Sequence, residues 1–334
     1  MKKAAWVALL MISLYGCAIA SHNEVWSSLI KSPDKLTIGC WDVTHWTGPS
    51  SPGHYKDFMG WGLKLNTVHP QFFATLKENG DLEKPGYQDN NHRGEYSINY
   101  DELIDVIKTI NDGGLRPTVG LFIHNFESIN ERETEYFFNR LTCDLKVRGI
   151  KSIVLIPAWD IQGQWPAWSD GATRDCYIDP DIFNRQMKMI VSVRNKVKAD
   201  NILIACAIAA DYNNKSLNKH SKSAADYING LKECDMIGIN AYPTKKQGAR
   251  WAFVNAKKLW IAAGEKIPVS FFEYSMETYD WSRKDSIEWS VNDKVHFIND
   301  TYTLLDEYPF VKEIHWWFIG KPTTATRISY SRDN

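Results

Sequence analysis

The strongest constraint on this chain is an alternation of eight short apolar runs, rich in β-branched residues, with longer amphipathic ones. The short runs are Leu36–Trp41, Leu63–Pro70, Arg116–His124, Ile153–Ile156, Asn201–Ala209, Asp235–Pro243, Lys266–Ser275 and Val311–Gly320. Runs this brief are too short for helices, and near-continuous hydrophobicity marks strands covered on both faces. Helical spacing is expected over Tyr100–Asp112, Glu131–Val147, Ser221–Leu231, Gly248–Ala263 and Ser290–Leu305. A further helix starts at Asp179-Pro180, where Asp caps and Pro presets the first φ. Eight strands alternating with helices predict an α/β fold, a single (β/α)8 TIM barrel over residues 30–330. The alternative, a doubly wound open sheet, usually carries a glycine-rich phosphate turn after its first strand. This chain has Trp41-Asp42-Val43-Thr44 there.

The first twenty residues stand apart. Lys2-Lys3 precede an apolar run, Ala4 to Tyr15, which is too short to span a bilayer and reads as an export signal. Leu14-Tyr15-Gly16-Cys17 has the form of a bacterial lipobox, with cleavage before a lipidated Cys17. Ala18-Ile19-Ala20 offers ordinary cleavage before Ser21 instead. Either route exports the protein, as an envelope lipoprotein or as a soluble secreted chain. Lys+Arg 39 against Asp+Glu 40 gives no basic surface for nucleic acid or anionic lipid, so membrane contact is expected only through the anchor. The cysteines show no CxxC and no Cys/His spacing suited to zinc; no metal and no cofactor are expected, and the chain is read as a monomer.

Active sites of such barrels lie at the carboxyl ends of the strands. Those ends carry Asp42, His69, His124, Trp159-Asp160, Asn240, Tyr242, Glu273 and Trp316-Trp317. After the fourth strand Asp160 is surrounded in sequence by Gln162, Gln164 and the indoles of Trp159, Trp165 and Trp168. Flat aromatic plates beside amides suit a ligand with apolar faces and many hydroxyls. Two acids across a barrel mouth, Asp160 and Glu273, are what retaining glycoside hydrolysis needs: one protonates the leaving oxygen and the other attacks the anomeric carbon. Tyr242 is placed to donate a hydrogen bond to Glu273. His69 and His124 are read either as contacts to sugar hydroxyls or as structural hydrogen bonders, and Asp42 as a candidate ligand contact.

From the fourth strand to the eighth the chain resembles a clan A glycoside hydrolase, most closely glycoside hydrolase family 26, which contains β-mannanases and related β-glucanases and xylanases. That family's fourth strand ends in a motif like His-Glu-Met-Asn-Gly-Asn/Asp-Trp-Tyr-Pro-Trp. Here Trp159-Asp160-Ile161-Gln162-Gly163-Gln164-Trp165-Pro166-Ala167-Trp168 stands in its place, with Gly163, Trp165 and Trp168 kept. Its sixth strand, like Val-Gly-Ile-Asp-Gly-Tyr, is matched by Ile237-Gly238-Ile239-Asn240-Ala241-Tyr242. Its seventh, Pro-Ile-x-Ile-x-Glu-Phe, is matched by Pro268-Val269 and Phe272-Glu273-Tyr274. The resemblance implies Glu273 as nucleophile, Tyr242 as its orienting partner, Asp160 as acid/base, and Trp316 or Trp317 as floor of the central sugar site. Asp160 departs from the family's Glu, and Trp159 from its His.

Two function classes follow. One is an exported, endo-acting retaining hydrolase of β-linked polysaccharide: mannan, glucan or a bacterial exopolysaccharide. The other is a barrel that binds glycan without cleaving it and works in polysaccharide export or assembly at the cell envelope.

Overall fold

The computed structural model describes residues 37–42, 65–84, 97–159, 161–162, 164–166, 173–175, 177–210, 222–276, 279–280, 285–286 and 289–317. Eight parallel strands close on themselves: β1 Thr37–Asp42, β2 Thr67–Leu76, β3 Arg116–Ile123, β4 Ile153–Ile156, β5 Ile202–Ala209, β6 Met236–Ala241, β7 Val269–Tyr274 and β8 Val311–Trp317. Each pairs with its sequence neighbour, and β1 pairs with both β2 and β8, so no edge is left open. The expected barrel is the observed one. Around it run α1 Tyr100–Asp112, α2 Glu131–Val147, α3 Pro180–Lys196, α4 Ile228–Leu231, α5 Gly248–Ala262 and α6 Val291–Glu307.

Helix starts follow local chemistry. Asn99 with Glu102, Asn130 with Glu133 and Ser290 with Asp293 form reciprocal capping boxes, each satisfying two otherwise orphaned N–H groups. Asp179 caps α3 through the N–H of Asp181, with Pro180 in its first turn. The helix expected over Ser221–Leu231 is shorter, a 3-10 turn at Ala224–Tyr227 leading into α4.

One strand boundary differs from expectation in a way that matters for the site. The sequence predicts that the second strand closes at Pro70; β2 begins later than predicted and runs on to Leu76. Proline cannot donate to a ladder, yet it is tolerated where a pairing ends. Pro70 is the last residue of β2 paired with β1, and the strand continues alongside β3 from Gln71 to Ala74.

The interior is layered. At the bottom the side chains of Thr67, Arg116, Thr118, Ser270 and Glu313 meet, with the Arg116 guanidinium 2.6 Å from the Glu313 carboxylate. Above them lie His69, Phe272 and His315, the two imidazoles fully buried and edge-on at 5.6 Å. This middle layer exists because β6 and β3 contribute glycines. A Cβ at Gly238 would sit 2.2 Å from the Phe272 ring and 2.3 Å from the Cys206 carbonyl oxygen. A Cβ at Gly120 would sit 2.8 Å from Gln71 Cγ and 3.1 Å from His69 Nε2. The top layer faces the mouth.

Candidate active site

Glu273 ends an apolar strand whose side chains should alternate inward and outward. Ser270 and Phe272 do point inward, to Glu313 and to the two imidazoles, while Phe271 packs outward on Phe253 of α5. Strict alternation would then send Glu273 outward. A register shift between Phe271 and Glu273 against β6, and between Phe271 and Tyr274 against β8, breaks the sequence of sides. Such a bulge re-aims a side chain. Glu273 turns inward directly after Phe272, and Tyr274 turns outward onto Phe253 and Phe297.

Only 4% of Glu273 is exposed, so its carboxylate needs donors. The hydroxyl of Tyr242 donates to Oε2, as expected from the sequence, and the Gln71 amide donates to Oε1 at 2.5 Å. Each such bond to an ionised group is worth about 1.5–3 kcal/mol. Gln71 is not among the residues that sequence reasoning picks out. Pro70 conceals it, because a proline there predicts the end of the strand; continued past it, the strand puts His69, Gln71 and Phe73 on one inward face. The tyrosine comes from just beyond β6, where Asn240 is register partner of Glu273 and 3% exposed.

Trp159 is buried at 7% exposure, its indole packed against Phe73 and Phe122 at ring distances of 5.2 and 5.6 Å. It bridges to Ala207 of β5, which extends the line of β4 past Pro157 toward the mouth. Its indole N–H has no hydrogen-bond partner among the described residues. Gln162 is also buried, but its side-chain oxygen accepts the backbone N–H of Ala209, so this amide ties the loop to β5.

The other residues picked out from the sequence fall in several places. His69 lies fully buried one layer beneath Glu273, with its ring against Phe272 and His315. His124 is exposed on the rim, just after β3. Trp316, read as a floor for sugar, faces away from the mouth: it is 5% exposed and packs on the outward-facing Tyr274 at 5.3 Å. The reason is the pleat, since Glu313 and His315 take the inward face of β8 and Trp316 falls between sheet and helix. Trp317 and Asp42 close their strands, with side chains outside the described residues. The backbone of Trp165 belongs to a short antiparallel ribbon, Gln164–Pro166 with Thr173–Asp175. Asp160, Trp168 and Cys17 lie outside the described residues, as do the side chains of Gln164 and Trp165.

Burial, and then the neighbouring His315, push the His69 imidazole well below its ordinary pKa, against the opposing bond to the Phe272 carbonyl. His315 is lowered by burial too, although its contact with Glu313 pulls the other way. Burial raises Glu313, but the bond from His315 and the charge of Arg116 outweigh it and hold the carboxyl below the usual value. The interior beneath the mouth is thus two neutral imidazoles over one compensated ion pair.

Neither a known protein family nor a curated protein matches the chain by sequence. Solved structures do resemble it. An endo-β-1,4-mannanase double mutant of Cellulomonas fimi aligns at 15% identity with a TM-score of 0.52, over 90% of this chain and 68% of that one. The Bacillus subtilis mannanase man26 aligns at 11% identity and a TM-score of 0.49, over 91% and 85%. The GH26 β-mannanase BoMan26A of Bacteroides ovatus aligns at 12% identity and 0.47, over 94% and 85%. The first of these likenesses supports the barrel fold.

Proposed function

We propose that this chain is a retaining glycoside hydrolase of the clan A type, acting on β-linked polysaccharide outside the cytoplasm. The observation that carries the reading is Glu273, turned into the mouth by a bulge and held there by Gln71 and Tyr242. A buried carboxylate gripped at both oxygens is poised to attack one face of an anomeric carbon. In the first step Glu273 forms the glycosyl bond while Asp160 delivers a proton to the departing glycosidic oxygen. In the second, Asp160 takes a proton from water, which displaces Glu273. The likeness of fold to mannanases and the matching motifs on the fourth, sixth and seventh strands favour mannan or a related β-glycan, cut internally. Trp165 and Trp168 would supply apolar platforms for sugar rings, beside Asn240 as a polar contact.

The assignment of Asp160 is tested through leaving-group dependence, because a good leaving group departs unprotonated. Asp160→Ala is expected to abolish most polysaccharide hydrolysis while sparing much of the first step on an activated aryl glycoside, with azide restoring part of the turnover. Undiminished polysaccharide cleavage by Asp160→Ala would remove Asp160 from the mechanism. A second reading has one observation behind it: an apolar cluster of Trp159, Phe73 and Phe122 stands where the family sequence has His before its acid. It makes the protein a glycan-binding barrel serving polysaccharide export or assembly. Glycan binding without reducing-sugar release, across mannans, glucans, xylans and exopolysaccharides, would favour it.

We also propose envelope anchoring through Cys17, since diacylglycerol plus an amide-linked acyl chain anchor stably where one chain does not. Labelled palmitate should mark the wild type and not Cys17→Ser. A soluble, unlabelled product beginning at Ser21 would point to simple secretion.

A further inference from the structure

The bulge that turns Glu273 inward leaves Phe272 out of the register with both β6 and β8. Its carbonyl oxygen lies 3.2 Å from His69 Nδ1. A carbonyl only accepts, so Nδ1 carries the proton. The ring is fully buried among Phe272, His315 and the hollow at Gly120. His69 Nε2 has no hydrogen-bond partner among the described residues, which fits an unprotonated nitrogen. Two residues further along the same inward face of β2, Gln71 holds the Glu273 carboxylate itself. One strand therefore grips β7, across the barrel interior, at two successive points: the peptide before Glu273 and its side chain.

We propose that His69 is a positioning residue for Glu273: locked as the Nδ1–H tautomer, it holds the Phe272 carbonyl and fixes the bulge that aims the nucleophile. The proposal rests on the reading of Glu273 as nucleophile for its kinetic consequence, but not for its geometry. The groups facing the ring are His315, carried on the strand of Glu313, and Glu273 above; Arg116 lies below with Glu313. Burial keeps the imidazole neutral among them.

The test uses the full chain and two variants. His69→Asn keeps an N–H donor near the place of Nδ1, whereas His69→Leu fills the space without one. In nitrogen-15 spectra of the wild type, His69 should show a protonated Nδ1 and a bare Nε2, unchanged from pH 8 to about pH 6. Crystal structures should show Glu273 withdrawn from Gln71 and Tyr242 in His69→Leu and retained in His69→Asn. On a substrate that the wild type cleaves, His69→Leu should lose about 10- to 100-fold in kcat with little change in KM, the cost of a small misplacement. His69→Asn should recover most of it. An Nε2–H tautomer, or Leu and Asn variants alike in both structure and kcat, overturns the proposal. If the wild type cleaves nothing while the spectra and structures come out as expected, the positioning stands and the hydrolase reading falls. Should the Leu variant fail to fold, the tautomer and the Asn variant still decide: loss of Glu273 placement in Asn, with its donor intact, counts against His69.

Discussion

Replacing Glu273 by Gln is expected to lower turnover by roughly four orders of magnitude while the fold and glycan affinity survive, because the amide is isosteric but cannot form the glycosyl ester. Gln71 and Tyr242 already donate to the two carboxylate oxygens. A glutamine there keeps one good acceptor and presents an NH2 group to the other donor, so some local loss of stability accompanies the loss of chemistry. That loss stays well below the stability of a domain this size. Unfolding midpoints measured beside the kinetics separate the two effects. A fluorosugar that traps the glycosyl-enzyme should label Glu273 in the wild type. Label on another carboxylate, or a Glu273→Gln variant as active as its parent, would refute the assignment.

The second large effect is expected at the base of the barrel, far from the mouth. Arg116→Leu leaves the Glu313 carboxylate, 3% exposed, without its cation, and breaking a buried pair in this way costs about 3–5 kcal/mol. The loss should depend on pH. In the wild type burial lowers His315 most and the charge of Arg116 adds to it, while Glu313 raises it. Without Arg116, His315 gains a proton more readily and partly replaces the missing cation. The deficit relative to wild type therefore shrinks as pH falls below the ordinary imidazole value, since burial still holds the folded His315 below it. Wild-type stability itself should fall over the same interval. His69 and His315 have depressed folded values, so the unfolded chain binds protons there that the folded chain does not. Each contributes up to about 1.4 kcal/mol per pH unit. Glu313, also depressed, acts lower down: its contribution is present above the unfolded carboxyl value and is lost as pH falls through the folded one. Denaturant unfolding at about pH 7.5 and about pH 5.5 reads both trends. A deficit under about 1 kcal/mol at both pH values would mean that the pair contributes little.

The barrel was legible in the chain alone, because eight runs of continuous hydrophobicity separated by capped amphipathic helices have few ways to bury themselves. So was the pairing of Tyr242 with Glu273, since adjacent strands of such a barrel end side by side. Three other features depend on contacts between distant strands. Gln71 joins Glu273 because β2 runs past Pro70, and whether a proline stops a strand depends on which neighbour its missing N–H would have faced. Trp316 is core because an aromatic at a strand end is assigned to mouth or helix layer by the pleat, which depends on the register with β1 and β7. Glu273 itself faces the mouth only through a bulge that skips Phe272. Period-two alternation along Ser270, Phe271 and Phe272 points it outward, and pairing with two neighbouring strands, braced by β2, reverses that direction.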